Sequence, residues 1–299
     1  MNISPHFIQG FTDYQHVTVS VSDIDQALAF YRDLLGFPVL GRLYYRNKVG
    51  LVIEFLDIGN GAILEIFSFS APTKPSEWIP DDLQLGPRHI AFKVRNTDAT
   101  TRRLKAAGVE FTLDPLDATG GVRIAFFKAP DGELLEIIQG ELEYHTKGQA
   151  PLPVAPPQGP PSRGELTFDH VAVTVSSIDK ALAFYNGILG FPVLGQLDLG
   201  GERGFLITYL QVGNFILELF SFSAPTTYHT WNPDETVLGL KHQGYLVDDV
   251  DAVAKRLAEK GVRIIYPPNS ALGNVKTCFF ADPDGNALEL IDGTCTYDA

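Results

Sequence analysis

An α+β fold made of four βαβββ units is what this sequence predicts, and three observations predict it. Residues 16–41 read HVTVSVSDIDQALAFYRDLLGFPVLG, and residues 170–195 read HVAVTVSSIDKALAFYNGILGFPVLG. A chain that repeats itself this closely is a duplication. Each half then holds a finer repeat, with a histidine opening a strand near His16, His89, His170 and His242. Within each quarter the apolar period changes from two, as in a strand, to that of a helix, and back to two.

The elements follow in order. Residues 16–21 alternate and are rich in valine, which predicts a strand. Ser22 or Asp23 caps a helix through Leu35, and Gly36 ends it. Residues 51–57 and 62–69 are strands around Gly59-Asn60-Gly61. In the second quarter, residues 89–94 are a strand, 98–107 a helix stopped by Gly108, and 122–128 and 134–138 strands joined by Pro130-Asp131-Gly132. The second half repeats this plan: ILEIFSFSAPT returns as ILELFSFSAPT, and VRIAFFKAPDGELLEI as VKTCFFADPDGNALEL. Gly61 is the one inserted residue, shifting the offset from 154 to 153. The predicted organisation is a first domain, 1–147, with units 12–73 and 85–140; a Pro-rich linker, 148–164; and a second domain, 165–299, with units 166–226 and 238–293. The linker's proline density favours an extended strap.

Bulk properties narrow the function. With 299 residues, each half has enough chain for a core. A net charge of −13 disfavours nucleic acid and anionic membranes as partners. No apolar run approaches a transmembrane span and the N-terminus lacks the look of a signal peptide, which predicts a cytoplasmic protein. Two cysteines, Cys278 and Cys295, permit neither a disulfide framework nor a cysteine-rich zinc site. Phosphate-loop and Gly-x-Ser-x-Gly motifs are missing from the sequence.

The chemistry is carried by polar residues on apolar strands. They are His16, Glu65, His89 and Glu136, then His170, Glu218, His242 and Glu289, with spacings of 49, 24 and 47, then 48, 24 and 47. The remaining histidines, His6, His145 and His229, fall in the tail, the linker region and a loop. Burying a carboxylate without a partner is expensive. Two histidines and two carboxylates around a divalent cation meet that cost together and leave positions open for a substrate.

On these motifs the chain resembles the vicinal oxygen chelate superfamily, which includes glyoxalase I, methylmalonyl-CoA epimerase, extradiol dioxygenases and bleomycin resistance proteins. The resemblance covers both halves. It implies glyoxalase-like half-barrel domains, each closing two units around a metal. The His, Glu, His, Glu set is similar to that of bacterial-type glyoxalase I, which implies a lyase or isomerase using nickel, zinc, cobalt or manganese. The substrate would be a small molecule with adjacent oxygens, reacting through a metal-stabilised enediolate, with Glu65, Glu136, Glu218 or Glu289 moving the proton. The alternative is an extradiol-type dioxygenase with Fe(II); a further alternative is a non-catalytic binding or resistance protein. Extradiol enzymes place a catalytic histidine and tyrosine before the last strand, where GGVRIAFFKAPDG and LGNVKTCFFADPDG have neither. Glutathione-dependent glyoxalases carry an arginine four residues after the first ligand, where this chain has Ser20 and Thr174. Thr18, Phe67, Phe220 and Leu246 are expected to line the cups, Trp78 and Trp231 to cover a cup mouth or anchor a strap. Glu54, Arg88 and Lys241 are expected at the surface or pocket rim.

Four units can pair in chain order or crosswise, and ligand counting does not choose. The short connection within each half favours pairing in chain order. A monomer or homodimer is expected.

Overall fold

The computed structural model describes residues 10–45, 47–151, 165–228 and 231–298. His6, His229 and most of the Pro-rich linker lie outside them. The first unit runs β1 (Phe11–Ser20), α1 (Ile24–Leu28), β2 (Val39–Tyr44), β3 (Leu51–Gly59) and β4 (Ala62–Phe69). The second is β5 (Gly86–Lys93), α2 (Thr97–Ala106), β6 (Phe111–Ala118), β7 (Val122–Lys128) and β8 (Leu134–Gln139), followed by the short β9 (Thr146–Lys147). The third is β10 (Thr167–Thr174), α3 (Ile178–Tyr185), β11 (Val193–Gly200), β12 (Phe205–Val212) and β13 (Phe215–Phe222). The fourth is β14 (Gly239–Val247), α4 (Val250–Glu259), β15 (Ile264–Ser270), β16 (Lys276–Ala281) and β17 (Ala287–Asp292). The predicted four-unit α+β plan is therefore the observed one.

Local chemistry sets the helix ends. The Asp23 carboxylate accepts from the amides of Asp25 and Gln26, and Gly36 takes φ +88° at the far end. Between them, residues 29–34 widen into a π-helical turn, a departure from the regular helix expected through Leu35. Phe30 and Tyr31 are both buried there.

The unit pairing corrects the sequence expectation. One sheet has the order β15-β16-β17-β14-β1-β4-β3-β2, and the other β6-β7-β8-β5-β10-β13-β12-β11-β9. The first unit thus shares a sheet with the fourth, and the second with the third. β1 runs antiparallel to β14, and β10 to β5. The short connections that favoured chain order are what carry the chain across. They lie side by side, bridged at Lys74–Val237 and Gln84–Thr227, with the Lys74 amide donating to Thr236 O and the Leu238 amide to Lys74 O. Segments that satisfy each other's backbone groups need not fold back on their own unit. One continuous core joins the sheets, with Tyr14 packed on Phe168, Phe215 and Tyr245 at ring centroid distances of 5.3–5.8 Å.

Residues 1–150 expressed alone would hold units from two different sheets. The fragment should be aggregated or dimeric, exchanging units between copies. A monomer by analytical ultracentrifugation that binds one metal ion with high affinity would contradict the crosswise topology.

Candidate metal centres

The register of each sheet sets the eight polar residues in two adjacent rows. In the first sheet, His16 pairs with Gly244, which pairs with Glu289; His242 pairs with Thr18, which pairs with Glu65. In the second, His170, Ala91 and Glu136 form one row, and His89, Ala172 and Glu218 the other. A small residue stands between the two polar ones in each row, so the longer side chains can lean together over it. At Gly244 the need is strict: a Cβ there would lie 2.0 Å from His16 Cε1.

A bulge aims the first histidine of each site. Register shifts occur between Tyr14 and His16 and at the matching place between Phe168 and His170. The extra residue in each strand, Gln15 or Asp169, offers a side-chain oxygen to the adjacent histidine Nδ1, at 2.8 Å for Asp169. A bulge therefore supplies both the turn of the strand and the partner that leaves Nε2 facing the site. His89 is flanked by Phe126 and Phe220, and His242 by Phe279 and Phe67.

In the second sheet four side-chain atoms converge. His89 Nε2 lies 2.9 Å from Glu136 Oε2, 3.5 Å from Glu218 Oε2 and 3.2 Å from His170 Nε2. His170 Nε2 lies 3.2 Å from Glu136 Oε2 and 3.3 Å from Glu218 Oε2. Ligands about 2.1 Å from one cation stand roughly 3.0 Å apart at right angles and 3.4 Å apart in a tetrahedron. The observed edges match, and the donor set of imidazole and carboxylate suits a divalent ion. In the first sheet, Glu289 Oε2 lies 3.1 Å from both His16 Nε2 and His242 Nε2. The His16 Nε2 is buried and makes no hydrogen bond of good geometry, as expected of a nitrogen aimed at an ion. Glu65 Oε2 stands back at 3.6 Å, where the Thr18 hydroxyl donates to it at 3.0 Å.

Sequence reasoning missed the hydroxyls that hold these carboxylates. Thr18 serves Glu65, and its counterpart is Ala172. In the other site Tyr209 donates to Glu218, and its counterpart is Phe55. The same task is done from different strands, so comparing the repeats hides it. The burial of Glu54, at 1% exposure, also corrects the expectation of a solvent-facing residue. It pairs with Arg42, while Gln196 and Thr208 hydrogen-bond at the matching positions. Arg88 and Lys241 are buried, not at the rim. The Lys241 ammonium donates to the carbonyls of Asn232, Asp234 and Val237, and the Arg88 guanidinium stacks on Trp78. Arg123 and Lys276 form surface ion pairs with Asp98 and Asp251. Ser20 and Thr174 each donate to a carbonyl of the crossing segments, Glu235 O and Asp82 O.

Electrostatics support cation binding. Burial alone would raise the Glu136 and Glu289 carboxyls, but the two histidine nitrogens close to each more than offset it and hold each at about 2. Burial pushes the Glu65 carboxyl up. Burial would lower His170, yet Glu218, Asp169 and Glu136 raise it well above its ordinary value. The carboxylates thus favour positive charge at His16 and His170, a charge that a divalent ion would supply instead.

Each centre lies in a cavity. The second-sheet cavity has a volume of about 630 Å³ and is lined by Phe126, Ile207 and Phe220 beside the four polar residues. The first-sheet cavity has about 560 Å³, with Phe55, Phe67 and Phe279 beside Glu65, His242 and Glu289. Phe67 and Phe220 line the cups as expected; Thr18 is fully buried beneath its cup, and Leu246 is not among the lining residues. Trp78 and Trp231 line opposite cups and share a small chamber between them, with Glu133.

With this geometry in view, the comparisons give the class. The family described as the Glyoxalase/Bleomycin resistance protein/Dioxygenase superfamily matches residues 14–137 and 167–290. The chain belongs to this superfamily, in tandem. Glyoxalase I of Saccharomyces cerevisiae is 26% identical over 92% of this chain and 91% of its own length. Lactoylglutathione lyase GLX1 of Arabidopsis thaliana is 25% identical over 93% of this chain and 91% of its own. The crystal structure of glyoxalase I from Zea mays superposes with a TM-score of 0.69, covering 95% of this chain and 92% of that one at 20% identity, which is a likeness of fold. No helix of the described residues is long and apolar enough to cross a membrane.

Replacing Gly244 by Val should displace the His16 ring, lower stability by about 1–3 kcal/mol and cut metal capacity from two equivalents to one, read by elemental analysis. Two retained equivalents would contradict the packing argument. Glu133 supplies a pH test. Burial pushes its carboxyl from 4.5 up to about 8. The unfolded chain releases this proton first, so stability falls as pH rises from 4.5 towards 8, then levels. Glu133→Gln should remove that slope, with a urea midpoint gain at pH 8 absent at pH 4.5. An equal change at both pH values would contradict it.

Proposed function

We propose that the protein is a divalent-metal-dependent lyase or isomerase that moves a proton at a carbon beside a carbonyl. The observation that carries this reading is the buried set His89, Glu136, His170 and Glu218 at ligand spacing, at the base of an open cup. His16, His242 and Glu289 form the second such set, with Glu65 beside it at 3.6 Å from His16. Nickel, zinc, cobalt or manganese suits both sets.

A bound ion would supply the Lewis acidity that lowers the energy of an enediolate oxygen. The chain's residues do the rest. Glu65, kept away from His16 by the Thr18 hydroxyl and made more basic by burial, is placed to take the proton in the first-sheet cup. Glu218, held by Tyr209, has that role in the second-sheet cup. Glu289 and Glu136, each strongly engaged by two histidines, stay ionised and hold their place, while Glu65 or Glu218 returns the proton it took. The phenylalanines flanking the histidines give the base of each cup an apolar face, while the open cup lets a proton captured by a carboxylate exchange with solvent before it is returned. Similarity over the whole chain to proteins named glyoxalase I and lactoylglutathione lyase supports this reading. With Ser20 and Thr174 bound to the crossing segments, neither strand presents a cation there for an anionic thiol carrier.

Small α-hydroxycarbonyl compounds incubated with metal-loaded protein in D2O under argon should gain solvent deuterium at the carbon next to the carbonyl. Chelation should stop the exchange and added metal restore it. Turnover only with dioxygen uptake would overturn the reading in favour of an Fe(II) dioxygenase.

A further inference from the structure

The two cups are copies, so each wall position in one can be compared with its partner in the other. The floors agree: Phe126 matches Phe279, and Phe220 matches Phe67. The walls do not. Where β7 of the second-sheet cup presents Ile124, β16 of the first-sheet cup presents Thr277; where the segment after β8 presents Leu142, the segment after β17 presents Cys295. Leu113 on β6 is matched by Tyr266 on β15, and Leu199 on β11 by Tyr45 after β2. Three of these pairs carry little weight: Tyr266, Leu199 and, in the opposing pair Thr119 with Leu272, the leucine are exposed, and the Tyr45 phenol oxygen accepts from the Leu272 backbone. Tyr209 faces Phe55, but its hydroxyl is bound to Glu218. The contrast is carried by Ile124 against Thr277 and Leu142 against Cys295, where a hydrocarbon in one cup faces a hydroxyl or thiol in the other.

We infer that the two cups take different substrates. The cup of units two and three takes a compound whose arm beyond the paired oxygens is alkyl or aryl; the cup of units one and four takes one whose arm carries hydroxyls. Burying a hydroxylated arm against Ile124 and Leu142 would strip its water without replacing the hydrogen bonds. An alkyl arm against Thr277 and Cys295 would leave those groups unhydrated instead. Each cup therefore disfavours the other's ligand. The inference rests on the metal-centre reading above.

Two hydroxamates test it, since each offers adjacent oxygens: octanohydroxamate and gluconohydroxamate. Calorimetry with the metal-loaded chain should show each probe binding one site at least tenfold more tightly than the other. His170→Ala should abolish the tight octanohydroxamate site and spare the gluconohydroxamate site; His242→Ala should do the reverse. Should a histidine variant misfold, Ile124→Thr with Leu142→Cys should weaken octanohydroxamate several-fold at unchanged metal content, and Thr277→Ile with Cys295→Leu should strengthen it in the other cup. Equal affinity of both probes for both cups would overturn the inference while leaving the metal centres standing. Failure of either probe to bind, with no metal retained, would overturn the metal reading and the inference with it.

Discussion

Everything in this fold answers to one constraint: eight ionisable side chains are buried on strands, and a buried charge must be matched. The chain meets it by gathering them in two groups of two histidines and two glutamates, each across four adjacent strands. Small residues beneath, bulges beside and phenylalanines around the histidines all serve that convergence. Gly244, Ala91 and Ala172 lack side chains large enough to block it. Thr18 does have a hydroxyl, and it donates to Glu65. The two sites thus share residue types while differing in which strand restrains the second carboxylate.

Crosswise pairing makes the two halves interdependent. Each cluster draws one histidine and one glutamate from either side of the Pro-rich segment, so neither half can complete a cluster by itself. The crossing segments between β4 and β5 and between β13 and β14 bind one another, and the backs of the sheets share one aromatic core. The chamber lined by Trp78, Arg88, Trp231 and Lys241 lies where these features meet, next to both cups.

Much of this was legible in the sequence because the repeat isolates residues whose polarity a strand does not need. Seven of the eight candidates fall in two clusters of ligand-type atoms, with Glu65 just outside the first-sheet one, and β7 has the predicted bounds. The pairing was not legible, since every quarter carries one histidine and one glutamate and either arrangement satisfies the count. The decision lies in backbone hydrogen bonds between two connections of unremarkable composition. β2, β6, β11 and β15 were less visible, because strands at or next to a sheet edge with half-exposed faces lack a firm apolar alternation. Thr18 and Tyr209 escaped because each has an apolar counterpart. Glu54 was misplaced for a similar reason: its partner Arg42 lies on the neighbouring strand, and a buried ion pair leaves no periodic trace.

The central claim, that each centre joins units from both halves, is tested most directly by counting metal in two double variants. His16→Ala with Glu289→Ala removes two ligands from one centre, and His16→Ala with Glu136→Ala removes one from each. Elemental analysis should find one equivalent retained in the first and markedly less in the second. The reverse order, with one equivalent kept by the His16/Glu136 variant and almost none by the His16/Glu289 variant, would show that units pair in chain order and would contradict this account.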